Sequence, residues 1–307
     1  MSTLVVGRGL LGRHVVSRLA DRGADVRTVD VPWADPAAAL EVLVAAADEA
    51  ARTGPDWRIA WCAGAGVVST PLVEFDSEVA LFRRFTTSIG KPPRAFFLAS
   101  SAGGVYAGSS DPPHTEHTEP RPLAPYGWAK LAMEDSARTL ADRGSRVVLG
   151  RISNLYGPGQ DLAKSQGLIS RLCLTQVTGT PLQLYVSMDT LRDYLFVSDA
   201  ADLVAACLDR AAGTAPGTVT VKVLASGVAT SVGTLIQAST RAFRRRTRVV
   251  QSSPPRLGAQ VRDLRLRSRT WTDLDVLVRT PLVVGLSATA ESVDALHRAG
   301  ALAHRFP

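Results

Sequence analysis

The sequence predicts an α/β protein: a doubly wound parallel sheet with a smaller C-terminal α/β lobe. Three observations carry this. Short apolar runs alternate with helix-patterned stretches through the first half of the 307-residue chain, the order that buries parallel strands between two layers of helices. Gly7, Gly9 and Gly12 follow the first run at G-x-G-x-x-G spacing. Asp30 closes the second run, 23 residues beyond Gly7, which is the position of the acidic residue in a dinucleotide-binding βαβ unit.

The first strand is TLVV, 3–6, and the glycine loop feeds a helix over about 10–22. DVRTVD, 25–30, is the second strand. The alanine-rich stretch 35–52 is a helix, since alanine has the highest helix propensity, and RIAWC, 58–62, is the third strand. A helix near 75–90, strand AFFLAS at 95–100, a turn-rich loop to 125, a helix over 126–142 and strand RVVLGRIS at 146–153 follow. Beyond 155 glycine and proline loosen the pattern, with a helix near 166–178, segments LQLYV and DYLFV, and a helix over about 199–211. The expected division is a dinucleotide-binding domain, 1–155, and a substrate lobe, 156–307, with the segment around 190–225 returning to the sheet. No repeat or low-complexity linker separates the two. Only about 28 residues lead from Asp30 to RIAWC, room for one helix and no strand, so the sheet is expected to be one strand short.

With 46% hydrophobic and 21% charged residues the chain can bury a large core. Its formal net charge of +7 favours anionic partners, which charge alone does not choose among. The densest basic run, FRRRTR at 243–248, lacks the interleaved aromatics on which bases stack. It reads as a solvated helix end, and neither nucleic acid nor a membrane is expected as a partner. Cys62, Cys173 and Cys207 are odd in number and lack C-x-x-C spacing, so no disulfide framework and no metal site is expected and a reduced, cytoplasmic setting fits. The chain opens directly on TLVVGRG, and no apolar run approaches ~18 residues, so neither export nor a membrane span is expected.

The glycine triplet gives the first functional expectation. Glycine permits a tight turn and close approach of backbone to a pyrophosphate, and the helix N-terminus behind it offers free N–H groups to the phosphates. The expected cofactor contacts are Gly7, Arg8, Gly9, Leu10, Leu11 and Gly12, then Asp30, then Ala63 and Gly64 past the third strand. Asp30 can accept hydrogen bonds from both adenosine ribose hydroxyls and would repel a 2′-phosphate, which points to NAD. Arg8 and Arg27 could each reach a 2′-phosphate and keep NADP open.

Lysine occurs only at 91, 130, 164 and 222, so its place four residues after Tyr126 is informative. Residues four apart on a helix share a face, and an ammonium beside a phenol stabilises the phenolate as a proton acceptor. Tyr126 and Lys130 are therefore the expected acid/base pair, Lys130 also holding the nicotinamide ribose.

Five stretches in order, LASSAGGVYAG at 98–108, PYGWAKLAMED at 125–135, RISNLYGPGQ at 151–160, TLRDYLFVSDAADLV at 190–204 and PPRLGAQVRD at 254–263, resemble the extended short-chain dehydrogenase/reductases. They are similar to the NAD-dependent epimerase/dehydratase group, Rossmann-type enzymes acting on nucleotide sugars, over about residues 3–290. The resemblance implies Tyr126 as catalytic acid/base with Lys130, a hydroxyl from the SSAGGVY loop on the sugar oxygen, Tyr106 of the same loop as a substrate contact, and Asn154, Arg192 and Arg256 on the nucleotide diphosphate. It also implies a homodimer paired through the helix of Leu131 and Met133, against the plainer reading of a helix packed only on its own sheet.

Three features depart from that pattern. Ala102 stands where the family has serine or threonine, four residues before Tyr106, which leaves Ser101 to supply the hydroxyl. The glycine loop is one residue shorter than the family's. Gly103 and Gly104 replace the acidic residues that dehydratases and decarboxylating members carry, and disfavour both reactions. Epimerisation through a keto sugar leads, NAD(P)H-dependent reduction of a keto sugar follows, and a non-catalytic NAD(P)-binding sensor or partner protein is the reading of another class.

Overall fold

A computed structural model of the chain describes residues 1–64, 72–162, 167–252 and 261–301. The first half runs β1 (Ser2–Val6), α1 (Leu10–Asp21), β2 (Asp25–Thr28), α2 (Pro36–Arg52), β3 (Arg58–Trp61), α3 (Leu72–Ser88), β4 (Ala95–Ser101), α4 (Ala102–Val105), α5 (Pro125–Asp142) and β5 (Arg146–Ile152). The second half runs β6 (Asn154–Tyr156), α6 (Leu168–Thr178), β7 (Leu182–Leu184), β8 (Leu191–Arg192), β9 (Tyr194–Phe196), α7 (Val197–Ala212), β10 (Val219–Leu224), β11 (Thr230–Ser231), α8 (Val232–Phe243), β12 (Val249–Gln251), a 3-10 turn over Thr272–Leu277 and α9 (Leu282–Arg298).

Six parallel strands form the main sheet in the order β10-β5-β4-β3-β1-β2. This is a doubly wound sheet without its third strand: the chain leaves β2 through α2 and returns on the other side of β1, with Thr3 opposite Val26 on one side and Arg58 on the other. β2 is therefore an edge, and it ends at Thr28, so Asp30 lies beyond the strand rather than in it. β10 enters beside β5, Val219 opposite Val147.

Alternation along the strands builds two cores. Phe96, Leu98, Val147 and Leu149 face α2, α3 and α5, while Phe97, Val148 and Ile152 face α1 and α7. α2 starts where Asp35 accepts from the Ala37 and Ala38 N–H groups ahead of Pro36, satisfying two donors that have no partner inside the helix. The stretch RVVLGRIS splits: β5 ends at Ile152, and β6 leaves the sheet to pair in parallel with β9. A third core of Tyr156, Leu172, Leu235 and Leu286 packs α6, α8 and α9 together. Met133 is fully buried in the first core and is unavailable to a dimer face; Leu131 packs beside Ala102 and Tyr106, and the exposed large hydrophobic side chain of α5 is Trp128, at 59%. Among the described residues no helix is long and apolar enough to cross a membrane.

Candidate active site

The glycine loop joins β1 to α1 at the C-terminal end of the sheet. Gly7 has φ +91°, and a β-carbon there would stand 2.5 Å from the Ala63 backbone, so only glycine lets the loops after β1 and β3 touch. A β-carbon on Gly12 would overlap the Gly7 carbonyl. Gly9 differs: nothing lies within 4 Å of where its β-carbon would be, and it opens α1 with no side chain capping the free N–H groups and no acid in the first turn. These three environments match the requirements of a pyrophosphate site: a turn, an open approach and a close helix–strand contact. Leu10 is half-buried, and Leu11 turns its side chain into the core, so its backbone is what faces the loop.

Within the glycine loop, Arg8 donates to Asp30 at 3.0 Å, the two side chains 56% and 89% exposed. Arg27 is committed elsewhere, to Glu49 at 2.5 Å and Asp25 at 3.4 Å, so of the two arginines only Arg8 stands at the loop.

Tyr126 and Lys130 lie on α5, the Lys130 Nζ 5.7 Å from the centre of the Tyr126 ring. Lys130 is only 6% exposed. Its ammonium lies 3.6 Å from Glu78 Oε1 on α3 and 3.9 Å from Met133 Sδ, and a β-carbon placed on Gly64 would be 3.0 Å from it. The cation therefore reaches the loop after β3, whose Ala63 touches Gly7. Phe75 on α3 flanks the Tyr126 ring at 5.9 Å between centroids. Glu78 is a partner that sequence reasoning missed, because nothing in a chain separation of 52 residues marks it.

The other side of Tyr126 is the loop after β4. A β-carbon on Gly104 would lie 2.9 Å from two atoms of the Tyr126 ring. The Gly104 N–H donates to Ser101 Oγ at 3.1 Å, capping α4. Because that hydroxyl oxygen is already accepting, its own hydrogen remains to be donated outward. Ala102 is fully buried against Val223 and Leu266, so a hydroxyl at 102 would face the core, whereas Ser101 Oγ lies beside Gly104, which packs on Tyr126. Tyr106 corrects the expectation of a substrate contact. It is 0% exposed; its hydroxyl donates to the Thr115 carbonyl at 2.8 Å and accepts from Arg151 at 2.8 Å, and its ring stacks on His114 at 5.4 Å.

Asn154 is exposed on β6 and donates through Nδ2 to the Asp193 carbonyl at 2.8 Å. Arg192, on β8, donates to the Leu191 carbonyl and has no carboxylate within ion-pair distance among the described residues: Asp189 pairs with Arg262, and Asp193 accepts from Ser226 and Gly227. Burial lowers the Arg192 pKa, against the pull of Tyr194 and Asp263. A half-buried, unpaired guanidinium is suited to an incoming anion. Arg256 lies outside the described residues.

One cavity, of about 640 Å³, lies at the opposite ends of the strands, between Asp25, Asp56, Arg58, Arg94 and Asp209. It is away from the carboxyl ends, where doubly wound sheets bind ligands.

The sequence profile of the NAD dependent epimerase/dehydratase family matches residues 3–222. The chain belongs to that family. Among curated members and relatives it is 35% identical to a dTDP-L-rhamnose 4-epimerase of Burkholderia thailandensis over 127 residues, 39% of this chain and 33% of that protein. It spans about a third of the length of the curated relatives it matches first. In structure it superposes on a UDP-glucose 4-epimerase of Thermotoga maritima, solved with UDP-glucose, at TM-score 0.82 and 20% identity, covering 97% of this chain and 100% of that one. It also superposes on MoeE5, solved with UDP-glucose and NAD, at TM-score 0.77 and 25% identity, covering 97% and 99%. Both solved structures share the doubly wound fold with this chain.

Proposed function

We propose that this member of the family inverts a carbinol of a nucleotide-diphosphate sugar through a keto-sugar intermediate, with NAD as a retained cofactor. The observation that carries the reading is one unbroken line of contacts: Gly7 on Ala63, Gly64 beside Lys130, Lys130 over Tyr126, Tyr126 on Gly104, and Gly104 bonded to Ser101. These contacts join the loops after β1, β3 and β4 to α5 at the carboxyl ends of the strands, which supports one site for dinucleotide, acid/base pair and hydroxyl donor.

The residues fit NAD: the open Gly9 and the free α1 N-terminus would take the pyrophosphate, Asp30 the ribose hydroxyls, and Lys130 with Gly64 the nicotinamide end. Bound there, NAD supplies a hydride acceptor and donor. The chain does the rest. Ser101 donates to the sugar oxygen; Tyr126 takes the carbinol proton and later returns it; Lys130 stabilises the charge that develops on the phenol oxygen, held toward Gly64 by Glu78. Arg192 and Asn154, with Arg256, would grip the diphosphate while the keto sugar turns. Gly104 supports epimerisation over dehydration, because the Tyr126 ring occupies the space an acidic side chain there would need.

One observation favours a second reading, NADPH-dependent reduction of a keto sugar. Arg8 is bound to Asp30 only at the surface, and a 2′-phosphate could replace that carboxylate. Purified protein given UDP- and dTDP-hexoses with no added cofactor decides: the epimeric sugar on chromatography is the expected result, whereas turnover only with stoichiometric loss of NADPH selects the reductase. The family's helix-paired homodimer would here use α5 around Trp128, and light scattering giving a monomer's mass would remove it.

A further inference from the structure

On the face of the sheet toward α5, the apolar rows Phe96–Leu98 and Val147–Leu149 end in two polar residues, Ser100 and Arg151, which are register partners on β4 and β5. Both reach Glu134 of α5. Ser100 Oγ donates to Glu134 Oε1 at 2.6 Å, Arg151 donates through Nε to Oε1 at 3.1 Å and through a terminal nitrogen to Oε2 at 2.7 Å, and the other terminal nitrogen donates to Tyr106 at 2.8 Å. All four residues are at least nine-tenths buried. Burial alone would lower the Arg151 pKa, but the bonds from Glu134 and Tyr106 outweigh it and hold it above the ordinary arginine value.

Stability does not explain such a pair, since exchanging a buried ion pair for apolar residues of similar volume is often neutral or stabilising. Geometry does. Glu134 stands one helical turn beyond Lys130 and two beyond Tyr126, on the same face of α5. Ser100 precedes Ser101, and Tyr106 closes α4. Each end of the network is thus joined to one half of the candidate site: through one and two turns of α5 to Lys130 and Tyr126, and directly along β4 from Ser100 to Ser101. A bidentate guanidinium fixes direction as well as distance. A packed apolar contact would let helix and loop slide by fractions of an ångström.

We propose that Glu134 and Arg151, with Tyr106 and Ser100, are positioning residues that set the separation and orientation of the Tyr126 phenol relative to the Ser101 hydroxyl. The proposal rests on the acid/base reading of Tyr126 given above. It also assigns Tyr106 a role, as the brace of Arg151 against the 114–118 loop, in place of the substrate contact its motif position suggested.

The test is the apolar variant Ser100→Ala/Glu134→Leu/Arg151→Met, assayed for epimerisation, melting temperature and crystal structure. Positioning predicts a kcat at least tenfold lower, KM within about threefold and a Tm within a few degrees of wild type, with the Tyr126 Oη to Ser101 Oγ separation altered. A folded variant of unchanged kcat overturns it, as does an unchanged separation, which is read without any turnover. If the triple variant does not fold, Tyr106→Phe removes a single brace: a lower kcat at unchanged KM supports the proposal, and wild-type kcat overturns it. Absence of turnover by the wild-type protein would instead remove the epimerase reading, leaving the two crystal structures to judge the geometry.

Discussion

Gly104 packs directly on the Tyr126 ring. A β-carbon at 104 would stand 2.9 Å from the ring, and relieving such overpacking costs about 1–3 kcal/mol. Gly104→Ala is expected to shift the phenol and lower kcat roughly tenfold or more, since ~1.4 kcal/mol on the barrier is a factor of ten, while cofactor affinity holds; steady-state kinetics beside NAD titration checks this. At the other end of the cofactor site, the exposed Arg8–Asp30 pair is worth at most about 1 kcal/mol, so Asp30→Ala should leave Tm unchanged. It should also free Arg8, weakening NAD and strengthening NADP, and calorimetric titration with the two dinucleotides reads the ratio. The residues legible from sequence were those related by a local rule: Gly7, Gly9 and Gly12 by spacing, Tyr126 and Lys130 by one helical turn. Tyr106 was misplaced because what buries it, His114 and Arg151, comes from separate segments. Glu78 carries no local signal.

Among the elements, the β8–β9 junction shows how a loop is fixed around Arg192. Asp193 accepts from the Ser226 N–H at 2.8 Å, the Ser226 hydroxyl at 2.9 Å and the Gly227 N–H at 2.8 Å. Asp193→Ala leaves those donors unpaired and is expected to destabilise the fold by about 3 kcal/mol, measured by urea unfolding. Burial holds the Asp193 carboxyl above its ordinary range, against the opposing pull of Ser226 and Gly227. A raised pKa means the folded state takes the proton first. Its contribution to stability therefore grows as pH falls through the folded pKa and is complete below the unfolded value near ~3.9. Wild type should gain stability relative to Asp193→Asn between pH 7 and pH 4; a relative loss would mean the carboxyl is depressed instead. Strands β1, β3, β4 and β5 were legible because each is a short apolar run between turn residues, while β2, DVRT, was legible from its place between the glycine-loop helix and Asp30. β10 was harder, since its central Lys222 reads as a surface residue; Ser268 and Asp275 take its ammonium at 2.5 Å each, partners supplied from 46 and 53 residues away. α9 does carry a helical stripe, Leu286, Thr289 and Val293, but Val283, Val284 and Gly285 at its start speak against a helix on propensity alone.

At the scale of the molecule, α1 also holds the second half of the chain. Arg13 donates to the Gly159 carbonyl and His14 Nε2 lies 3.1 Å from the Pro158 oxygen, fastening to α1 the loop that follows Asn154. NAD at about one hundred times its Kd should stabilise the fold by about 2.7 kcal/mol, a rise in Tm of roughly 5 °C for a chain of this size. A scan with and without NAD reads it, and an unchanged Tm at saturation would contradict the dinucleotide site. The doubly wound order was legible because alternation and the glycine loop both speak for it, and the missing strand was legible from chain length alone; the small β6–β9, β7–β12 and β8–β11 pairs were not, being two or three residues long and set by contacts distant in sequence. In the proposed reaction Tyr126 moves a proton while the hydride never leaves the bound complex. A nucleotide sugar carrying deuterium at the inverting carbinol carbon tests it most directly. Mass spectrometry should find the label retained in the epimer formed by wild type and no epimer formed by Tyr126→Phe. Loss of the label to water, or an undiminished rate in the variant, would contradict it.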